Sequence, residues 1–182
     1  MNKVFQSIII TLMSAMIPFF SSCSDDDSVN EWDMSYVSLL PADYLRPTPS
    51  FTLKHVEEEG IEVIDCGTNT KDSCDYPDYA KKVADLVVSK EVDKGIVICG
   101  TGIGISIAAN KVKGIRCGLC TNTTMAKLTR EHNDANILAI GQRIIGIELA
   151  KDIVHTFLET PFSNGERHIQ RIKKITAIEN EQ

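Results

Sequence analysis

The residues best equipped for chemistry lie in one run, Lys94 to Lys111, where Cys99 is followed by glycines at 100, 102 and 104 and by Thr101. A cysteine acts as base or nucleophile through its thiolate, and helix N–H groups facing a thiol favour that form. Glycines at alternate positions let the backbone turn tightly and approach a ligand closely. Ile96, Val97 and Ile98, ahead of Cys99, read as a fully buried strand. Ser106 to Lys111 read as helix, so the loop is expected to end at a helix N-terminus, which offers unpaired N–H groups to an anion. Cys99 then stands at the carboxyl end of a strand, where open α/β sheets carry their ligands. By position alone a small core cysteine is the commoner reading. The glycine run is not a dinucleotide fingerprint, because G-x-G-x-x-G requires glycine at 105 and Ile105 stands there. It is not a Walker loop either, since no Gly-Lys-Ser/Thr follows.

Two further groups carry chemistry. His132 and Asn133 sit at the end of a predicted helix, where an imidazole has a pKa suited to proton transfer near neutrality and is otherwise most often a solvated cap. Arg167 and Arg171 are four apart and share a helix face on which two guanidinium forks can grip one phosphate. Such a pair is usually a solvated charged face. Cys117 and Cys120 have C-x-x-C spacing, but they fall in an apparent strand with no second pair, so packing is preferred over zinc or redox use. The six cysteines do not form a disulfide framework in a 182-residue chain with an adequate core.

The elements that position these residues alternate regularly from Glu59 onward. Strands are expected at 61–65, 96–99, 115–120 and 137–140. Helices are expected after Pro77, at 106–111, at 123–130, at 147–158 and from Glu166 to Glu179. Strands alternating with helices mean a doubly wound, Rossmann-like parallel sheet in three α/β/α layers. The net charge of −6 and a pI of about 5.2 argue against a nucleic-acid or anionic-membrane surface, leaving local basic residues to bind any phosphate.

The first sixty residues have a different texture. A short basic head is followed by an apolar run, Ile8 to Phe20, of signal-peptide length and too short for a comfortable membrane span. Phe20-Ser21-Ser22-Cys23 and the following Asp25, Asp26 and Asp27 resemble a bacterial lipoprotein signal with Cys23 as the residue to be lipidated. The expected division is 1–23 as signal segment, 24–59 as linker with a weak strand at Tyr36–Leu40, and 60–182 as the folded body.

The body resembles the ribose-5-phosphate isomerase B family, which includes the galactose-6-phosphate isomerase subunits. The resemblance rests on Glu62 to Asp65, Asp75-Tyr76-Pro77, Cys99 to Lys111, Gly114 to Arg116, His132 to Asn136, Gly141 with Arg143, and Arg167-His168 with Arg171. It implies an aldose–ketose isomerisation through an enediolate, without metal or cofactor. Cys99 matches the family's base, Thr101 and the N–H groups of Gly100, Gly102 and Gly104 its oxyanion donors, and His132 its ring-opening histidine. Tyr76 and Asn133 correspond to substrate contacts, and Arg143, Arg167 and Arg171 to phosphate binding, with Asp134 capping the turn. The family also implies a homodimer or tetramer with active sites shared between subunits, and a cytoplasmic location, because phosphorylated sugars are cytoplasmic metabolites. His155 and His168 are expected to be surface or helix-packing residues.

One departure stands out. The family begins with a central strand followed at once by Asp-His, and this chain has no such pair; Tyr36–Leu40 with Asp43-Tyr44 is the nearest stand-in. Two readings therefore stand together. One is an isomerase of ribose 5-phosphate, or of a hexose 6-phosphate such as galactose or allose. The other is a non-catalytic envelope lipoprotein, anchored through Cys23, that keeps an isomerase-like body.

Overall fold

A computed structural model describes residues 7–12, 56–57, 60–68 and 74–181. The strands are β1 (Ser7–Leu12), β2 (Glu62–Asp65), β3 (Lys94–Cys99), β4 (Cys117–Leu119) and β5 (Ile137–Gly141). The helices are α1 (Tyr76–Val88), α2 (Ile103–Ala109), α3 (Thr123–Asn133), α4 (Ile147–Glu159) and α5 (Glu166–Asn180). All strand pairs are parallel, in the order β2-β1-β3-β5-β4.

Alternation along β3 and β5 sorts the core into two layers. Ile96, Ile98, Leu138 and Ile140 face α3 and α4, where Ala126, Ile153, Val154 and Phe157 are buried. Val97, Cys99, Ile137 and Ala139 face α1 and α2 with Ala80, Val83, Val87 and Ile105. A strand buried on both faces must be apolar at every position, which is why β3 and β5 read as continuous runs.

Beside the central strand β3 lies β1, an interior strand that comes from the segment with the look of a signal. Ser7–Leu12 lies between β2 and β3, with Ile9 opposite both Ile64 and Gly95. The physical reason is compositional: a β-branched run suits the middle of a parallel sheet as well as it suits a leader. The suggested stand-in, Tyr36–Leu40, and Cys23 lie outside the described residues, as does the expected linker apart from Val56 and Glu57. Val56 is fully buried in the core, so the end of that stretch packs as part of the folded body. Among the described residues no helix is long and apolar enough to cross a membrane.

Several element boundaries differ from the sequence reading, among them the end of α3, which runs to Asn133 rather than Arg130, and the start of β3, at Lys94 rather than Ile96. The helix after the glycine loop begins at Ile103 rather than Ser106 and ends at Ala109, taking Gly104 into its first turn. The strand expected over 115–120 is only Cys117–Leu119. The Asn110 carboxamide holds that strand's outer side: Cys117 N–H donates to Asn110 Oδ1 (2.8 Å), and Asn110 Nδ2 donates to the Cys117 carbonyl (2.9 Å). Burial pushes both the Cys117 and Cys120 thiols up, Cys120 to about 11, in keeping with packing rather than redox work.

Lys94, at the start of β3, is buried and donates from Nζ to the Leu158 carbonyl near the end of α4 (2.6 Å). Burial first, then the nearby Arg130, lowers its pKa from 10.5 to about 8, against the pull of Glu159, Asp93 and Asp134. Between about pH 8 and 10.5 the unfolded chain therefore binds this proton and the folded chain does not, so unfolding free energy rises with pH across that window. Urea titrations of wild type and Lys94→Met at pH 7.5, 9 and 10.5 are expected to converge or diverge accordingly: wild type gains stability relative to Lys94→Met as pH rises. Parallel pH dependences would remove Lys94 as the cause.

Candidate functional site

Cys99 ends β3 and is 7% exposed, on the α1/α2 side of the sheet. The chain turns back over it through Gly102, whose φ of 78° is left-handed and favours glycine. A Cβ at Gly102 would also come within 2.9 Å of the Ile140 carbonyl carbon, so the loop lies directly on the end of β5. This turn brings the Gly102 N–H to 3.2 Å from the Cys99 sulfur. An N–H aimed at sulfur stabilises a thiolate more than a thiol. The Thr101 hydroxyl oxygen accepts from the Ile103 N–H at 3.3 Å.

The exit from β5 closes the loop from the other side. The N–H of Gln142 donates to the Cys99 carbonyl (2.9 Å) and that of Arg143 to the Gly100 carbonyl (3.0 Å). Arg143 consequently lies across Gly100: a Cβ there would sit 2.6 Å from Arg143 Nη2. Tyr76, in the first turn of α1, covers Gly104 in the same way, with its ring 2.6 Å from where a Cβ would be. Cys99, Gly100, Thr101, Gly102, Gly104, Tyr76 and Arg143 thus form one cluster at the carboxyl end of the sheet.

His132, Asn133, Arg167 and Arg171 form another, at the opposite end. α3 runs antiparallel to the strands, and the Asn136 carbonyl just beyond it accepts from the Gly95 N–H at the beginning of β3 (2.9 Å). From Gly95 to Cys99 the strand rises about 13 Å, at roughly 3.3 Å per residue. Within one chain, therefore, His132 does not meet Cys99.

The turn carrying His132 is rigidly built. Asp134 caps α3 in the left-handed region (φ 45°) and accepts from Arg130 (2.9 Å) and Arg116 (3.0 Å). Arg130 is buried, also donates to the Thr160 carbonyl (3.2 Å), and sits over the Phe157 ring. Asp134 is thus structural, as its place in the turn suggested. The Asn133 carbonyl accepts from Arg116 Nε (2.8 Å), while its side chain is left exposed.

Ser163 ties the following loop to the same turn, donating through its N–H and its hydroxyl to the Glu131 carbonyl. That connection sets the first turn of α5 over His132. The rings of His132 and His168 stack with centroids 4.2 Å apart and planes 6° from parallel. From there α5 crosses the amino end of the sheet to Gly114, whose N–H donates to the Glu179 carboxylate (3.2 Å). Arg167 and Arg171 are exposed on that helix, and none of its residues is buried.

Sequence reading left His168 as a surface or helix-packing residue and missed its partner. The Arg-His-x-x-Arg spacing carried the signal, but not the identity of the ring beneath. Burial, followed by His132, Arg167 and Arg171, holds the His168 imidazole below its ordinary value of 6.5, with Glu131 opposing.

A cleft of about 420 Å³ lies between β4 and α5, lined by Asn110, Arg116, Cys117, Ile175, Ile178 and Glu179 among others. It includes Asn133 but none of the Cys99 loop. Among the described residues no group of three or more His, Cys, Asp or Glu gathers as a metal site.

A family model described as Ribose/Galactose Isomerase matches residues 49–175, and one described only as a domain of unknown function matches residues 1–67. Ribose-5-phosphate isomerase B of Escherichia coli K12 is 54% identical over 125 residues, covering 69% of this chain and 83% of that protein. The structure of Clostridium thermocellum ribose-5-phosphate isomerase B superposes with a TM-score of 0.77 at 43% identity, over 97% of this chain and 99% of that one. The Mycoplasma genitalium ribose-5-phosphate isomerase B with bound ribulose 5-phosphate gives 0.73 at 32% identity, covering the full length of both chains. The shared fold and the extent of that identity make this chain a member of the ribose/galactose isomerase family.

Proposed function

We propose that this chain interconverts ribose 5-phosphate and ribulose 5-phosphate in a homodimer, each active site joining the Cys99 loop of one copy to the His132 end of the other. The observation that carries the assembly is the split described above: one chemical set, divided between opposite ends of one sheet. A two-fold dimer brings each half against the complementary half and yields two equivalent sites. The surface around the Cys99 loop suits such a contact, because Ile103, Ile107 and Ile144 are 53%, 56% and 54% exposed there.

The chemistry follows from the parts. His132 protonates the ring oxygen as its bond to C1 breaks, and the anomeric hydroxyl gives up its proton to water, opening the furanose to the aldehyde. Cys99 thiolate then takes the proton from C2 of the open aldose, and the electron pair moves through C1 onto the carbonyl oxygen, giving an enediolate. The Thr101 hydroxyl and the loop N–H groups not already engaged stabilise that oxygen. Passage of the C2 hydroxyl proton to the C1 oxygen, with return of the proton from Cys99 to C1, leaves a ketone at C2 and a hydroxyl at C1. Tyr76 and Asn133 contact the sugar, and Arg143, Arg167 and Arg171 hold the phosphate. Relatives named for the pentose enzyme, one of them with bound ribulose 5-phosphate, support the pentose over a hexose. The cytoplasm is the compartment that fits such a substrate.

A ketose-formation assay with subunit mixing tests both parts. Cys99→Ala and His132→Ala are each expected to be inactive alone. Refolded together, they should recover up to about a quarter of wild-type activity, since half of random dimers are mixed and each mixed dimer holds one intact site. No recovery would overturn the shared site, and an inactive wild type would overturn the isomerase reading.

A further inference from the structure

We propose that His168 is a positioning residue that fixes the plane of the His132 ring for the furanose-opening step, a proposal that rests on the isomerase reading above. The geometry is specific. The two imidazoles lie face to face at 4.2 Å and within 6° of parallel. His168 Nδ1 is buried without a hydrogen-bond partner. An imidazolium would place an N–H there with no acceptor, which disfavours the protonated ring.

The charged surroundings act in the same direction. Arg167 and Arg171 on α5, and His132 on α3, disfavour a second positive charge; only Glu131 favours one. A neutral His168 can remain stacked while His132 gains and loses a proton, whereas two imidazoliums at this distance would repel.

The backbone is shaped to seat the ring. His168 N–H donates to the Gly165 carbonyl (2.8 Å), and a Cβ at Gly165 would come within 3.0 Å of His168 Cδ2. An imidazole rotates broadly about χ2 when unrestrained. A ring that must hand a proton to one oxygen gains from having that rotation removed.

The test uses the full chain with labelled histidine. In wild type the His132 ring protons, assigned through His132→Gln, are expected upfield of an unstacked histidine because of the ring current of His168. His168→Ala should move them to unstacked positions, and His168→Phe should keep them upfield. In ketose formation, His168→Ala should lower kcat about tenfold with KM little changed, and His168→Phe should restore most of it. Unchanged His132 resonances in His168→Ala, or unchanged kcat, would overturn the proposal. A wild type with no turnover would remove the isomerase reading alone, because the spectra decide independently whether His168 holds His132.

Discussion

Cys99→Ala is expected to lower kcat for ribose 5-phosphate by at least about a thousandfold, the scale of a general base removed from a proton transfer to carbon. The substitution deletes one atom, and that atom is the one the loop is folded around. The Gly102 N–H points at it from 3.2 Å, aimed by the same left-handed turn that starts α2. The structural cost should be small, about 1 kcal/mol for one hydrogen bond to sulfur. Melting temperature and dimer mass are therefore expected to stay near wild type while turnover disappears. Cys99→Ser makes a stricter control, because it keeps an acceptor for Gly102 but supplies a hydroxyl that does not ionise near neutrality. It too should be inactive. Near-normal turnover in either variant would assign the base elsewhere. The comparison must be made within this chain, because β1 ends at Leu12 and is followed by Met13 and Ser14, neither of which supplies the acid and imidazole of the family's Asp-His.

Much of this site was legible because local signals agreed. Ile96, Val97 and Ile98 before a glycine loop permit few structures besides a buried strand and a turn, and Pro77 fits the first turn of α1, where its missing N–H costs nothing. The misses have identifiable causes. α2 starts three residues early because the Tyr76 ring fills the space over Gly104, a tertiary contact that overrides glycine's poor helix propensity. The stack of His132 on His168 depends on Arg130, Asp134 and Ser163 fixing two chain segments, and no periodicity encodes it. Which residues share an end of the sheet is likewise a property of strand direction. Cys99 and His132 look like partners in sequence, and only topology places them at opposite ends of the sheet.

Disrupting β1 is expected to have the largest effect on stability. Ile9 lies mid-strand with a neighbour on each side, Ile64 in β2 and Gly95 in β3. A proline there removes a ladder hydrogen bond and leaves a buried acceptor unpaired, at a cost of about 3 kcal/mol. Ile9→Pro should therefore lower the melting temperature by roughly 10 °C. A chain starting at Cys23 should fare worse. Among the described residues β2 pairs with no strand other than β1, so its removal strands β2 and bares one side of β3, leaving backbone groups of a buried sheet unpaired. That shortened chain is expected to lose cooperative unfolding and ketose formation together. The comparison also decides the fate of the leader-like segment, because a chain matured before Cys23 lacks β1 and the folded isomerase retains it. Intact-mass measurement on protein recovered from cells, read beside the melting curves, separates the two uses. If the chain starting at Cys23 melts cooperatively at the wild-type temperature and keeps its activity, Ser7–Leu12 is dispensable to the sheet and lipoprotein maturation becomes compatible with the fold.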